Sequence, residues 1–345
     1  MSSAKPQLFE QTSQYRHWRF TPTSLAQLRA ANNKQGVERV LQGLREEAQV
    51  DNDRNTLETR ISEATNNLLS PEEELELIDY YLQVTVAYAR MYGKGAIFKP
   101  EALNNIKSTA VNFMKRFYLH NVVFDYPPKS IMLTCFYLAT KVENSFIKID
   151  DFVRPLNDVV DKNKKGVRTK NEDILDLEFV VIQSLQFELA AHHPYRPSYG
   201  LYLDMQAYIE NNNLLKEVYD RTQYYIDQSL FTDLIFYYQP PQIALGAFKL
   251  AAKEKNLDID MYLTQRFEAR SLELLYPILD DIQEVVANRI NASVVDKKEV
   301  KERAALIDRK LILCRNPEKN PNSKLYRKKI ADRDEAQYVS DSGSE

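Results

Sequence analysis

Apolar residues recur at three- and four-residue spacing along most of this chain, a period that predicts helices and leaves little room for strands. Leu75, Ile78, Leu82, Thr85 and Ala89 form one stripe. It is opened by Ser70-Pro71-Glu72-Glu73, which reads as an N-cap, a proline at the first helical position and a capping-box glutamate, and it should stop near Gly93. Pro100 opens a second stripe with Leu103, Ile106, Ala110, Phe113, Met114 and Phe117, ending near Asn121. Pro127-Pro128 opens a third helix over 131–141 that is apolar nearly all round, as expected for the buried centre of a bundle. A short helix over 149–160, a polar loop over 161–170 and a long helix over 171–189 follow.

His192-His193-Pro194-Tyr195-Arg196-Pro197 breaks the period and reads as a linker. After it the series restarts. Leu- and Tyr-rich segments cover 198–209 and 214–238, Pro240-Pro241 opens another apolar helix, and helices over 259–267 and 269–290 complete the set. The restart is an internal repeat. PKSIMLTCFYLATK (128–141) and PPQIALGAFKLAAK (240–253) agree at seven of 14 positions at an offset of 112, among them Lys141 with Lys253. Two long copies make a double domain of five-helix units, too few for an open solenoid. Outside the copies, Thr21-Pro22 starts an amphipathic helix with Leu25, Leu28, Val37, Val40 and Leu41. Val300, Ala304, Ile307 and Leu311 mark another near the C-terminus. The expected division is an N-terminal segment 1–69 with a helix over 22–45, a first unit 70–190, a linker 191–199, a second unit 200–290, a helical 291–316 and a disordered polar tail 317–345.

Composition narrows the function. Only eight glycines in 345 residues argue against β-rich or doubly wound folds, leaving an all-α class. Two cysteines, Cys135 and Cys314, exclude a disulfide framework or a cysteine zinc site. There is no apolar signal core and no run of about 18 apolar residues, so neither a standard secretion signal nor a membrane span is expected. Phosphate loops, dinucleotide fingerprints, HExxH and the kinase HRD and DFG motifs are missing, so no catalytic residue, cofactor or metal is assigned and a binding protein is expected.

Two charges stand out on apolar faces. Glu178 has Ile174 and Leu175 one turn before it and Val181 and Ile182 one turn after, so its helical neighbours are aliphatic. A buried carboxylate needs a partner. Lys141 ends the apolar helix with Tyr137 and Leu138 behind it and no acid at the preceding turn. Lys141 is either a cation at a helix C-terminus or the partner of Glu178, and Glu178 either that partner or a helix edge reaching solvent.

Two five-helix repeats with KRFYLHN (115–121), IMLTCFYLATKVEN (131–144) and LEFVVIQSLQFEL (177–189) resemble the cyclin family over about residues 70–290. Tyr15-Arg16-His17-Trp18-Arg19-Phe20, Met114-Lys115-Arg116-Phe117-Tyr118-Leu119 and His193-Pro194-Tyr195-Arg196-Pro197 are most similar to segments of its cyclin H branch. The resemblance implies two cyclin boxes, with Lys141 and Glu178 paired against a cyclin-dependent kinase, Val142 and Glu143 beside them, and Phe187 as an aromatic at the same interface. It further implies the CDK-activating kinase module of TFIIH, a RING-finger assembly subunit, phosphorylation of kinase activation loops and of the RNA polymerase II tail by the partner, and a nuclear site. Departures are Val142 in place of a common phenylalanine, and LELIDYYLQVTVAYA where mitotic cyclins carry an MRAIL-type patch; Lys115 replaces the aspartate that pairs with that patch, so docking of RxL substrates is not expected. Pro277 should bend or restart the last helix of the second box, so the kinase is expected on the first box, leaving the second to brace the fold and receive the assembly subunit. Two other readings are a DNA-binding cyclin-fold transcription factor like TFIIB and a helical scaffold without a kinase. The basic excess lies in 296–333, with 13 Lys and Arg against six Asp and Glu, which leaves the boxes acidic and disfavours DNA wrapping.

Overall fold

The computed structural model describes residues 8–51, 54–94, 97–164, 167–292 and 297–342. Its regular elements, among the described residues, are all helical. A 3₁₀ turn Phe9–Gln11 leads to α1 (Ser13–His17), α2 (Pro22–Asp51) and α3 (Arg54–Asn67). The first five-helix unit is α4 (Pro71–Lys94), α5 (Pro100–Phe117), α6 (Pro128–Val142), α7 (Ile149–Asn163) and α8 (Glu172–Ser184). The second has five helices, α9 (Tyr195–Met205), α10 (Asn212–Ser229), α12 (Pro240–Glu254), α13 (Asp260–Arg266) and α14 (Ala269–Ala292), with the extra one-turn α11 (Leu234–Tyr237) between α10 and α12. Helix α15 (Lys297–Leu313), a 3₁₀ turn Pro317–Lys319 and α16 (Lys324–Ser342) close the chain.

The repeated helices are the two centres. Both α6 and α12 start on a proline, where a missing N–H is harmless, and bury nearly every side chain before their final lysine. Close approach at the second centre depends on Gly246: a Cβ there would lie 2.5 Å from Ile282 Cγ2 on α14. The repeat also reaches past the helices. Glu143 N–H bonds to Ala139 C=O and Ser145 N–H to Thr140 C=O, with Asn144 left-handed at φ 52°. Lys255, Leu257 and Asn256 (φ 55°) reproduce this Schellman turn 112 positions later. Helix α4 begins as the sequence predicts, Ser70 Oγ accepting the Glu73 N–H while Glu73 Oε2 accepts the Ser70 N–H.

The boxes are fastened to each other by partly buried ion pairs. Lys107 Nζ lies 2.6 Å from Asp227 Oδ1, which also accepts from Tyr195 Oη at 2.7 Å, and Arg289 Nη1 lies 2.9 Å from Asp79 Oδ2. The N-terminal helix joins in through a bidentate Arg29–Asp233 pair at 2.7 and 2.8 Å. Trp18, Leu25, Leu119 and Phe236 form a small apolar cluster drawn from the N-terminal segment and both boxes.

Several expected boundaries move. The N-terminal helix runs on to Asp51, and α3 follows where no helix is expected; its sequence is too polar to show a stripe, but Ala64 is buried in the first core and Arg60 pairs with Glu47 at 2.5 Å. The linker 191–199 is largely taken up by α9, which starts at Tyr195. Helix α14 continues through Pro277 without a restart, since the loss of one ladder bond is outweighed by burial of Leu272, Leu279, Ile282 and Val286. The tail expected to be disordered carries α16, because it docks on α2: Leu325 is buried, and Lys329 pairs with Glu46 at 3.0 Å and Glu318 at 3.1 Å.

Candidate functional site

At the C-terminal end of α6, where the most buried helix of the first box reaches the surface, Lys141 meets α8. Its Nζ donates to Glu178 Oε1 at 2.5 Å and sits 4.6 Å from the centre of the Tyr137 ring, one turn earlier on α6. The Lys141 side chain is 33% exposed and that of Glu178 18%. The pair is therefore half-buried at a rim, where the ammonium keeps donors and the carboxylate keeps an oxygen for further bonds. Tyr137 lends its π face to the same cation. Val142 packs partly buried on the first core.

Phe179, next to Glu178 on α8, and Phe187, just past the end of that helix, are 64% and 63% exposed, and Phe146, in the turn after α6, is 65% exposed. Phe179 and Phe187 meet edge to face at 6.2 Å between centroids. Large exposed aromatics on the helix that carries a rim charge are the mark of a protein-binding surface. Phe146 and Phe179 are not singled out by the sequence reading. Phe179 follows Glu178 directly and falls off the Ile174–Val181 stripe, which was the available signal.

The backbone around Phe187 explains its pose. The long helix expected over 171–189 ends at Ser184, and Gln186 and Phe187 both adopt left-handed backbone, φ 54° and 60°. That conformation is strained for a bulky side chain and persists only where surroundings over-determine it. Glu188, the next residue, supplies the restraint. Its Oε2 accepts the Trp18 indole N–H at 2.7 Å and its Oε1 meets His17 Nδ1. Arg116, buried and 4.9 Å beneath the Trp18 ring, donates to the backbone carbonyls of Glu188 (3.2 Å) and Ala190 (3.4 Å) and to Gln14 Oε1 (3.2 Å). Burial lowers the Arg116 guanidinium to about 10, still charged at neutral pH. The N-terminal segment thus clamps the turn that presents Phe187.

Glu143 departs from the expected outward role. Its carboxylate turns inward, taking a bond from Thr109 Oγ1 at 2.6 Å and lying 3.9 Å from His193 Nε2. Burial would raise this carboxyl, but the bonds from His193 and Thr109 outweigh it and hold the group below its ordinary value. Burial drives His193 downward, with Glu143 opposing. The turn after Lys141 is thereby tied to the junction of the boxes.

Lys115 is buried as well, donating to the Thr232 carbonyl, and burial pushes it down to about 8. Leu75, Ile78 and Asp79 of α4 line an open cleft with Lys115, while other α4 residues bond to the chain around it. Glu74 accepts from Asn33 Nδ2 at 2.9 Å and the Val123 N–H at 2.8 Å, Tyr81 Oη donates to Asp308 at 2.8 Å, and Glu73 takes Lys310 at 2.7 Å. Among the described residues no cluster of His, Cys, Asp or Glu is arranged to hold a metal, and no helix is long and apolar enough to cross a membrane.

Family models described as "Cyclin, N-terminal domain" and "Cyclin C-terminal domain" match residues 98–190 and 193–288. Cyclin mcs2 of Schizosaccharomyces pombe is 32% identical over 327 residues, covering 94% of this chain and 90% of that protein. Cyclin-H of Xenopus laevis is 30% identical over 75% of this chain and 72% of its own length. Cyclin CCL1 of Saccharomyces cerevisiae is 30% identical over 76% of this chain, which spans 62% of the length of that relative. Among solved structures, a chain of the CAK complex of Chaetomium thermophilum bound to ATP-gamma-S superposes with a TM-score of 0.72 at 25% identity, over 95% of this chain and 94% of that one. A chain of the yeast TFIIK (Kin28/Ccl1/Tfb3) complex gives 0.60 at 27% identity, over 80% and 99%.

Proposed function

The chain belongs to the cyclin family, in its cyclin H branch, and we propose that it binds and activates a cyclin-dependent kinase through the corner of the first box. The observation that carries this reading is the half-buried Lys141–Glu178 pair, with the exposed Phe179–Phe187 ring pair on and just past the same helix α8. Val142 completes the apolar floor of the corner, and Glu143 acts from behind, holding the turn.

The mechanism is a population shift. A kinase is competent when its β3 lysine pairs with the glutamate of its αC helix. A rigid surface that binds only that arrangement stabilises it by the difference in binding free energy between the two states. Lys141 and Glu178 would meet kinase backbone groups near αC, where charge-assisted bonds in a drying interface are strong, and the phenylalanines would supply buried apolar area. The cyclin contributes no catalytic group, so the isolated chain is expected to lack phosphotransferase activity. RxL-type docking is not part of this function, because α4 lacks an MRAIL-type patch and Lys115, in place of the aspartate that would pair with it, is buried on the Thr232 carbonyl.

The branch supports a finer assignment: the kinase is the CDK-activating kinase of TFIIH, acting in the nucleus on kinase activation loops and the RNA polymerase II tail, with a RING-finger assembly subunit. The TFIIK structure that the chain resembles contains Tfb3 beside its kinase and cyclin. The second box, fastened to the first by Lys107–Asp227 and Arg289–Asp79, braces the assembly and receives the third subunit. Reconstitution tests the whole reading. The full chain, mixed with purified kinase subunit, should raise phosphorylation of an RNA polymerase II tail peptide by orders of magnitude. No stimulation, together with no kinase recovered with the tagged chain from nuclear extract, would reject it.

A further inference from the structure

The turn that follows Lys141 is built twice in this chain and anchored from within only once. After Lys253 the same Schellman turn forms with Lys255 in the place of Glu143, and Lys255 reaches outward to the exposed Glu217 at 3.0 Å. The turn itself therefore needs no inward side chain. In the first box Glu143 nonetheless points into the protein, although enclosing a carboxylate is costly unless it is bonded.

The partners of Glu143 form a chain of bonds with a fixed direction. Thr109, fully buried on α5, has one hydroxyl proton, and that proton goes to Glu143 Oε1 at 2.6 Å. An ionised carboxylate only accepts, so the Thr109 oxygen accepts in its turn from His193 Nε2, 2.7 Å away. The imidazole is thus neutral, with its proton on Nε2. Its other nitrogen, Nδ1, is closed off and meets no partner; a second proton there would find no acceptor and would face the Arg116 guanidinium. His193 stands between the boxes, two residues before α9 begins. The relay therefore joins the linker, α5 and the end of α6.

We propose that Thr109 and His193 are positioning residues for kinase activation: through Glu143 they fix the turn, and with it Lys141, against the junction of the boxes. The proposal rests on the reading of the Lys141–Glu178 corner as the kinase site. Backbone bonds carry the link, since the Lys141 C=O accepts the Asn144 N–H at 3.3 Å and the Glu143 N–H goes to Ala139 C=O at 2.9 Å. A shift of Glu143 thus moves the residue that meets Glu178. The second box, whose lysine has no such grip to hold, does without the relay.

The test is a double-mutant cycle on kinase affinity, by isothermal titration of the full chain with purified kinase subunit well below each chain's melting temperature. Thr109→Val keeps the volume and removes the hydroxyl. It should weaken binding about tenfold, as when a buried bond to a charged group is lost, and Thr109→Ser should restore it. On a Lys141→Ala background Thr109→Val should cost little more, because both act through one grip. Glu143→Gln keeps the shape and weakens the bond; it should follow the same pattern with a smaller loss, and it decides the matter if Thr109→Val does not fold. Loss in Lys141→Ala with none in the Thr109→Val and Glu143→Gln chains overturns this proposal and leaves the corner in place. Losses that add in the double variant also overturn it, since Thr109 would then act elsewhere. Unchanged affinity in every variant, Lys141→Ala included, overturns the corner reading and this proposal together.

Discussion

The two boxes end their central helices in the same way and put the result to different use. Lys141 and Lys253 occupy matching positions, each followed by a Schellman turn on a left-handed asparagine. In the first box the lysine finds Glu178 on α8, the helix that also carries the exposed Phe179 against Phe187. In the second, Lys253 is exposed and, among the described residues, has no ion-pair partner. The difference lies in the fifth helix. Helix α8 stops after 13 residues and turns sharply to present Phe187, whereas α14 runs for 24 and spends its inner face on the core. A repeated backbone therefore need not be a repeated site: the shared helix brings a lysine to the rim, and what stands opposite decides whether it becomes a grip.

The largest expected effect would break this comparison outright. Lys141→Glu should abolish most kinase activation, while Lys253→Glu leaves it nearly intact, measured on chains of equal melting temperature. Equal loss from both reversals would mean that the boxes share the kinase. Next, Glu178→Ala should weaken kinase binding by about 2 kcal/mol or more, as at interface hot spots, with helicity by circular dichroism unchanged. Isothermal titration against the kinase subunit checks it.

Phe187→Gly separates interface from fold more sharply than a polar replacement. Glycine suits the left-handed backbone, so the melting temperature should hold or rise slightly, while kinase affinity falls by roughly 1.5–3 kcal/mol for a fully buried ring. A drop in melting temperature with affinity unchanged would make Phe187 a packing residue. Trp18→Phe leaves a smaller ring in a fully buried site and removes the N–H that holds Glu188. It should cost about 1–3 kcal/mol of stability and lower kinase affinity by loosening the 186–187 turn, with no further loss of affinity on a Phe187→Gly background.

The smallest effect is one of pH. Burial depresses His193, so its neutral form is favoured in the fold. The stability it contributes is present above the unfolded value of about 6.5 and is lost as pH falls below it. His120 and His192, also depressed by burial, act in the same direction. Melting temperature should decline between about pH 7 and 5.5, and His193→Asn should flatten part of the slope. An unchanged slope would place the titration on the other two histidines.

The basic segment 296–333 also has a structural account. Arg303 and Lys310 pair with Glu73 at 3.3 and 2.7 Å, so part of its charge answers the acidic first turn of α4 and is not free for nucleic acid. This weakens the DNA-binding alternative from a second direction.

The two-copy architecture and the buried centres were legible in the chain, because each rests on local period and on proline and capping chemistry; the Lys141–Glu178 pair was one of two readings of its residues and was implied only by the family resemblance. The residues that shape the site were not. Glu188, Trp18 and Arg116 lie up to 170 positions apart and carry no shared motif; they meet only when the N-terminal segment folds back over the first box. The same holds for Glu143, which the family resemblance sets beside the Lys141–Glu178 pair and whose partner His193 lies 50 residues on. Likewise α3 and α16 lack an apolar stripe strong enough to predict, and exist because α2 offers them ion pairs and a surface to dock on. Periodicity determines which segments become helices and which faces turn inward. Which charge meets which, and where a helix stops short, is decided by contacts between distant segments, because an ion pair or a left-handed turn is favourable only once the rest of the fold has excluded water from around it.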